Sequence, residues 1–201
     1  MRPIVGVLLA AGRSRRFGAD KLLRQAHGGL SMAEIAAAKL LAVCDRALAV
    51  VGPQSSGELG ERLRAAGLDL IVAGDADRGM GASLAAAVGA TPEAGGWLVA
   101  LGDMPAIDAA SMAAVAAALR GGASIAAPVH AGRRGHPVGF AGEWFGTLSG
   151  LTGDRGGRDV IDAHPDRLKL IEVDDPGVLL DVDIESDLAR LPCFDAPTPL
   201  G

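Results

Sequence analysis

Short apolar runs alternate with longer Ala- and Leu-rich segments over the first 130 residues of the chain. The short runs contain almost no polar residues, which is typical of parallel strands covered by helices on both faces. We predict strands at residues 4–10, 46–51, 68–73, 97–101 and 124–129. We predict helices between them at residues 32–43, 57–66, 81–90 and 109–119, the first with a capping box of Ser31 and Glu34. The pattern therefore predicts an α/β fold around a mostly parallel sheet.

The alternation breaks down after Pro128. Residues 130–165 are interpreted as a Gly- and His-containing insertion that shapes a pocket. Regularity returns with predicted strands at 168–173 and 178–180 and a last helix at about 185–191. We predict one domain over residues 1–191, followed by a loose, proline-containing tail at 192–201.

Composition excludes several classes of protein. The chain has 201 residues, a formal net charge of −5 and only 3% aromatic residues, which argues against nucleic acid as a partner. Cys44 and Cys193 stand alone, so neither a disulfide scaffold nor a zinc module is predicted. The first apolar run is followed at once by arginines, and no run is long enough to cross a bilayer. We therefore expect a cytoplasmic protein that does not engage a membrane.

The charges are unevenly distributed along the chain. Basic residues are concentrated in the first two dozen positions and acidic ones between Glu172 and Asp187. This distribution fits either two solvated faces or one cleft in which cations meet phosphates and carboxylates meet a metal.

A loop rich in small and basic residues follows the first predicted strand. Its small residues would let backbone N–H groups approach an anion at the carboxyl edge of a parallel sheet, with Arg16 and Lys21 reaching outer phosphates. The spacing is not that of a Walker A loop, and a solvated basic turn is the alternative. The strand ends at the small residues Ala10, Ala11 and Gly12, which follow Leu9.

Two acidic positions are candidate metal ligands. Asp103 directly follows the strand at 97–101, where a carboxylate could hold Mg²⁺ between phosphate oxygens, although an Asp here is also a common cap or turn residue. In the segment at 181–187, alternation places Asp181 and Asp183 on the same side, so either could join Asp103. The alternative is that Asp183 simply begins the last helix.

The segment Gly79-Met80-Gly81-Ala82-Ser83-Leu84 partly matches two other motifs. It resembles a GxGxxG dinucleotide fingerprint, but a bulky Leu84 occupies the third glycine position. It also half-matches the GxSxG nucleophile elbow, with His136 as a conceivable base, but lacks the final glycine. Two polar loops, 133–140 and 152–158, are further candidates for a substrate-binding wall.

Taken together, these segments resemble the MobA-like nucleotidyltransferases, most closely their molybdenum cofactor cytidylyltransferase branch. The resemblance covers nearly the whole chain and keeps the family's motif order. The matching motifs are LLAAGRSRRFGADKLL at 8–23, GMGASL at 79–84, LGDMP at 101–105, GRRGHPVGF at 132–140, GDRGGRDVI at 153–161 and DVDIESDL at 181–188.

The resemblance implies a three-layer α/β/α, Rossmann-like domain that uses Mg²⁺ to transfer NMP from an NTP and releases pyrophosphate. It implies that Arg16, Lys21 and Asp103 are catalytic and that Asp103 and Asp183 hold the metal. Leu9 to Gly12 would bind the nucleotide together with Gly81, Ala82 and Ser83. The acceptor, the terminal phosphate of molybdopterin in this branch, would contact Gly135, His136, Pro137, Asp154 and Arg158.

The Ala10-Ala11-Gly12 sequence and the Gly-His-Pro loop favour CTP over GTP within this resemblance. A molybdoenzyme that receives the cofactor is a further expected partner. The chain departs from the family's usual pattern at residues 28–32 and at 183–186, and the second departure leaves the choice between Asp181 and Asp183 open. Two rivals belong to other classes: an NAD-dependent oxidoreductase built on Gly79-Met80-Gly81, and a non-catalytic molybdopterin-binding chaperone.

Overall fold

The computed structural model describes residues 2–12, 21–26, 29–74, 78–183 and 187. Within these ranges the strands are β1 Ile4–Ala10, β2 Arg46–Val51, β3 Asp69–Val72, β4 Gly96–Leu101, β5 Ile125–His130, β6 Arg133–Arg134, β7 Val138–Ala141 and β8 Leu168–Glu172. The helices are α1 Met32–Val43, α2 Glu58–Ala65, α3 Met80–Gly89, α4 Ala109–Arg120, α5 Phe145–Ser149 and α6 Arg158–Ala163.

The strands form one mixed, mostly parallel sheet. Strands β3, β2, β1 and β4 lie side by side in that order, and all three of these pairings are parallel. Strand β7 runs antiparallel between β4 and β5, and β5 pairs with β8 in parallel. The chain therefore leaves β1 toward β2 but returns on the other side of β1 as β4, so the strand order switches direction between β1 and β4.

Helices cover both faces of the sheet. One core lies between the sheet and α1, α2 and α4, with Leu40, Leu63 and Met112 fully buried. The other lies between the sheet and α3, α5 and α6, around the buried rings of Trp97 and Phe140. Because adjacent residues of a strand point to opposite faces, β1 and β4 supply both cores and need apolar residues throughout. The predicted α/β/α architecture is confirmed.

Most of the predicted elements match the observed ones to within one or two residues. Helix α1 has the predicted capping box, because Ser31 Oγ accepts from the Glu34 backbone N–H while Glu34 accepts from the Ser31 N–H. The prediction of a strand at 178–180 is wrong: residues Pro176–Leu179 form a 3₁₀ turn that begins at a proline. The predicted helix at 185–191 and the tail at 192–201 fall outside the described residues, apart from Asp187.

The insertion at 130–165 contributes to the sheet as well as to a pocket. Strand β7 pairs with β4 over Val99↔Val138 to Gly96↔Ala141, a pairing that the sequence analysis missed. In β7, Gly139 lies against Leu119, and the Phe140 ring lies in the core on the other face of the sheet. Both faces are covered, as in a central strand, although β7 has only four residues. None of the helices in the described ranges is long and apolar enough to cross a membrane.

Candidate functional site

The site lies at the carboxyl ends of β1 and β4, where the strand order switches. The two strand ends are joined because the Gly102 N–H donates to the Leu9 carbonyl oxygen at 3.0 Å. We call the region outside these two strand ends the crevice. Crevices at such switch points are where α/β sheets bind ligands.

Three charged residues meet in this crevice, and we call them the carboxylate centre: Lys21, Asp103 and Asp183. Lys21 Nζ lies 2.9 Å from Asp103 Oδ2 and 3.3 Å from Asp183 Oδ1. The exposed fraction of the side chain is 13% for Lys21, 27% for Asp103 and 59% for Asp183. The lysine is therefore the least exposed of the three.

The pKa of Lys21 reports this arrangement. Burial by itself would lower the pKa of the ammonium group, but the Asp103 and Asp183 carboxylates outweigh burial and raise the pKa above its ordinary value. Lys21 thus stays fully charged at neutral pH, and the centre behaves as one cation held by two anions.

The backbone fixes Asp103 and Asp183 relative to each other. Val182 is fully buried, and its N–H donates to the Asp103 carbonyl oxygen at 3.0 Å. Asp183 follows directly, and its own N–H donates to Asp187 Oδ2 at 3.0 Å. Of the two positions left open by the sequence, the structure brings Asp183 to Lys21.

Residues 175–183, which we call the strap, connect the carboxylate centre to the loop that contains His136. Asp175 is buried and accepts from the Asp108 N–H at 2.9 Å and the Gly177 N–H at 2.8 Å. The Val178 carbonyl accepts from the His136 N–H at 2.9 Å. The sequence analysis missed Asp175, although an Asp followed by Pro-Gly is a known turn signal.

Lys39 supports the loop after Asp103 from the opposite side. Its Nζ donates to the carbonyl oxygens of Pro105 and Ile107, both at 2.8 Å. Burial lowers the pKa of Lys39, with Asp108 and Asp175 opposing that shift. No motif marked this residue, because a lysine on an otherwise apolar helix has no signal in the sequence.

A cavity of about 420 Å³ opens beside the carboxylate centre, on the sheet face covered by α3 and α6. Its floor is apolar, and its rim bears charged and polar groups. The floor residues are Leu9, Met80, Leu84, Val99, Leu101, Val138, Phe140 and Ile161, and the charged or polar rim residues are Arg134, His136, Asp154, Arg155 and Arg158. Four of the five predicted acceptor residues thus line one cavity, namely Gly135, His136, Asp154 and Arg158.

His136 links the cavity to the carboxylate centre. Burial lowers the pKa of its imidazole below the ordinary value of 6.5, the Asp103 carboxylate opposes this shift and the Arg134 charge adds to it. The side chain is therefore neutral at pH 7. Its Nδ1 is shielded from solvent and has no hydrogen-bond partner among the described residues.

Packing accounts for the glycines at 79 and 81. A Cβ at Gly81 would lie 2.7 Å from the Thr152 carbonyl oxygen, and the Gly81 N–H donates to the Gly153 oxygen at 2.8 Å. Gly79 has φ +100°, a conformation that favours glycine, and residues 153 and 154 lie against it. Gly81 and Ser83 are buried and Ala82 is half-buried, so the predicted contact of this segment with a base or ribose stays a prediction.

The remaining predicted residues lie along the crevice or outside the described ranges. Leu9 lines the cavity, Ala10 is buried, Ala11 is half-buried and Gly12 is exposed with open space around its Cα. Pro137 is buried between His136 and β7. Arg16 lies outside the described residues.

The carboxylate centre fits a hard divalent cation. Its donors are carboxylate oxygens, the ligands that Mg²⁺ and Mn²⁺ prefer, and the Lys21 ammonium already occupies a cationic position between them. Within the described residues no group of three or more His, Cys, Asp or Glu side chains could hold a metal.

Solved structures resemble this chain over almost its full length. A homolog of Rv0371c from Mycobacterium sp. strain JC1 is 34% identical with a TM-score of 0.81, and the match covers 93% of each chain. Rv0371c from Mycobacterium tuberculosis H37Rv is 30% identical with a TM-score of 0.79, covering 93% of this chain and 96% of that one. A second Rv0371c structure, in complex with manganese, is aligned at 27% identity with a TM-score of 0.74, covering 94% and 97%.

A comparison with curated proteins found no match. The sequence profile of the MobA-like NTP transferase domain, however, matches residues 6–168, a span that runs from within β1 to the first residue of β8. This span contains Lys21, Asp103 and the cavity rim. The chain therefore belongs to the family of MobA-like NTP transferase domains, which makes it a nucleotidyltransferase.

Proposed function

We propose that this protein transfers CMP from CTP to the terminal phosphate of molybdopterin, in a Mg²⁺-dependent reaction that releases pyrophosphate. The observation that supports this most directly is the carboxylate centre beside a cavity with an arginine-bearing rim. One part of the crevice suits a metal and a triphosphate, and the other suits an anionic acceptor.

The loop after β1 would hold the nucleotide. Backbone groups of Leu9, Ala10, Ala11 and Gly12 would face the phosphates, with Lys21 and Arg16 neutralising their charge. Lys21 would then exchange its two carboxylate partners for phosphate oxygens. Gly81, Ala82 and Ser83 would lie toward the base or ribose.

Asp103 and Asp183 would hold the metal, which when bound supplies positive charge to the triphosphate. The manganese complex of a relative 27% identical to this chain supports a divalent cation here. Magnesium is our choice because the donors are hard oxygens and the substrate provides phosphates.

The transfer itself requires little acid–base chemistry. An acceptor phosphate oxygen attacks the α-phosphorus of CTP, a new P–O bond forms, and the bond to the β-phosphate bridging oxygen breaks so that pyrophosphate leaves. Because the attacking phosphate is already ionised, no general base is needed, and catalysis consists of positioning and charge neutralisation.

The acceptor would occupy the cavity. Gly135, His136, Pro137, Asp154 and Arg158 would form its wall, and the apolar floor would receive the uncharged part of the molecule. The preference for CTP and for molybdopterin rests on the Ala10-Ala11-Gly12 sequence and the Gly-His-Pro loop, through the resemblance stated above. A molybdoenzyme that collects the product is the proposed downstream partner.

The test is pyrophosphate release with each of the four NTPs, with and without molybdenum cofactor, in Mg²⁺ and in Mn²⁺. We expect release only when CTP and the cofactor are both present. Release with GTP would reassign the base, and release with another phosphorylated acceptor would reassign the substrate. No release with any pair, from protein that binds NTP normally, would contradict the proposal.

A further inference from the structure

The three arginines on the cavity rim differ in what holds them. Arg155 forms ion pairs with Asp159 and with Asp162, the latter at 2.6 Å. Arg158 Nε lies 3.9 Å from Asp162. Arg134 has no ion pair and no side-chain hydrogen bond with any residue in the described ranges. Its positive charge therefore lines the cavity without an ion-paired anion among the residues that the structure describes.

The backbone under Arg134 is fixed. Arg134 pairs with Val129 in the hairpin of β5 and β6, and the next residue, Gly135, donates its N–H to the Pro128 oxygen at 2.9 Å. A Cβ at Gly135 would lie 2.3 Å from the Val178 oxygen, so this residue lies against the strap. The position of the guanidinium group therefore depends on the rotamer of the Arg134 side chain.

Alternation along this segment separates two neighbouring arginines. Residues 134 and 136 point to one side of an extended chain and residues 133 and 135 to the other. Arg134 and His136 line the cavity, whereas Arg133 does not. Arg133 thus has the same side chain as Arg134 and is also exposed, but its side chain points to the other side of the chain. It is therefore a suitable control.

Arg134 also acts electrostatically on His136. Its charge adds to the burial that lowers the pKa of the His136 imidazole. Arg134 and His136 line the same cavity as Leu101, the last residue of the strand that leads to Asp103. An anion bound by Arg134 would therefore lie in the cavity beside the metal ligands, where an attacking group must approach.

We propose that Arg134 binds the phosphoryl group of the acceptor while the rest of that molecule lies on the apolar cavity floor. This inference rests on the proposed function and adds a binding residue to it. A guanidinium group can hold a phosphate through two parallel N–H···O bonds, which fixes orientation as well as position. Arg134 is thus the acceptor-side counterpart of Lys21.

The probe is phenyl phosphate, a phosphomonoester on a flat apolar ring, titrated into the full chain and followed by ³¹P NMR. Phenol serves as the probe without the phosphoryl group. The proteins are wild type, Arg134→Ala, Arg134→Lys, Arg133→Ala and Lys21→Ala, each checked for an unchanged melting temperature. We expect Arg134→Ala to weaken phenyl phosphate binding about tenfold, the loss typical of one charge-assisted contact, and to leave phenol binding unchanged.

Arg134→Lys should recover part of this affinity, and Arg133→Ala and Lys21→Ala should stay within about twofold of wild type. If phenyl phosphate does not bind wild type, if Arg134→Ala binds it normally, or if Arg133→Ala loses as much, the proposal is wrong. A loss confined to Lys21→Ala would mean that the probe enters the triphosphate position, which also overturns it. Because binding needs no turnover, the CMP-transfer proposal can fail in the pyrophosphate assay while this one stands.

Discussion

The carboxylate centre and the cavity rim share one crevice but are held together differently. The centre joins three distant parts of the chain through ion pairs between side chains, with Lys21 between Asp103 and Asp183. The rim is joined through backbone contacts, such as Gly81 N–H to Gly153 oxygen and His136 N–H to Val178 oxygen. In the centre the Lys21 charge is paired with two carboxylates, whereas on the rim Arg134 has no ion pair within the described residues.

This difference indicates how each region would respond to ligands. The centre must rearrange when a metal and a triphosphate arrive, because Lys21 cannot keep both carboxylates once a cation binds them. The rim can receive an anion at Arg134 without breaking an ion pair. Substitutions in the centre should therefore change chemistry and metal affinity, and those on the rim should change stability and acceptor binding.

The largest effect is expected from Asp103→Asn. The amide keeps the size of the side chain but removes the charge that would hold the metal, so turnover should fall at least about a hundredfold. Pyrophosphate release measures it, and thermal unfolding checks that the fold persists. Asp183→Asn should show a smaller loss because Asp183 is more exposed, and Asp181→Asn should stay near wild type. Near-normal release from Asp103→Asn, or equal losses at 181 and 183, would contradict the assignment of the metal ligands.

Lys21→Met should have opposite effects on turnover and on metal affinity. Turnover should fall by about a hundredfold because a partner of the triphosphate is lost. Mn²⁺ affinity without nucleotide should instead rise about tenfold, since the ammonium no longer competes for the carboxylates. Paramagnetic resonance of Mn²⁺ measures this affinity, and Lys169→Met on the exposed strand β8 is the control. Unchanged Mn²⁺ binding in Lys21→Met would show that lysine and metal do not compete.

In α3, whose first turn packs against the loop at 152–153, two glycines should respond to alanine with opposite signs. Gly81→Ala should destabilise the fold by about 1–3 kcal/mol, because its Cβ would press on the Thr152 carbonyl. Gly89→Ala, which has open space, should stabilise it by about 0.5–1 kcal/mol. Chemical denaturation of both variants measures the difference. Equal stability would mean that Gly81 is not required by loop packing.

Sequence was a good guide to the centre. Asp103 follows a buried apolar run, so the parallel pairing of β1 and β4 places it beside the end of β1. Lys21 begins a 3₁₀ turn further along the chain, and its contact with Asp103 was expected only from the resemblance. The pairing of Asp183 with Lys21, rather than Asp181, could not be predicted. It depends on Val182 being buried and bonded to the Asp103 backbone, a contact that spans most of the chain.

The rim was less predictable, because its contacts are between backbones of distant loops. The motif at 79–84 resembles a nucleotide-binding fingerprint, yet its glycines lie against Thr152 and Gly153. Strand β7 was missed because four residues give too short a pattern, and Asp175 and Lys39 because their partners are main-chain groups. Arg134 was within a recognised loop, but only the structure separates it from Arg133.

The smallest effect tests whether the two regions are electrostatically joined through His136. Because its pKa is lowered in the folded protein, the unfolded chain binds this proton more readily, and the free energy of unfolding should fall as pH drops below about 6.5. One group contributes at most about 1.4 kcal/mol per pH unit. Removing the Asp103 carboxylate, which opposes the shift, should extend this decline to lower pH. The measurement is urea unfolding of wild type, His136→Gln, Asp103→Asn and the double variant. In each background, the contribution of His136 is the difference in the free energy of unfolding with and without this residue. If the His136-dependent decline is the same with and without the Asp103 carboxylate, the cavity rim and the carboxylate centre are not electrostatically coupled.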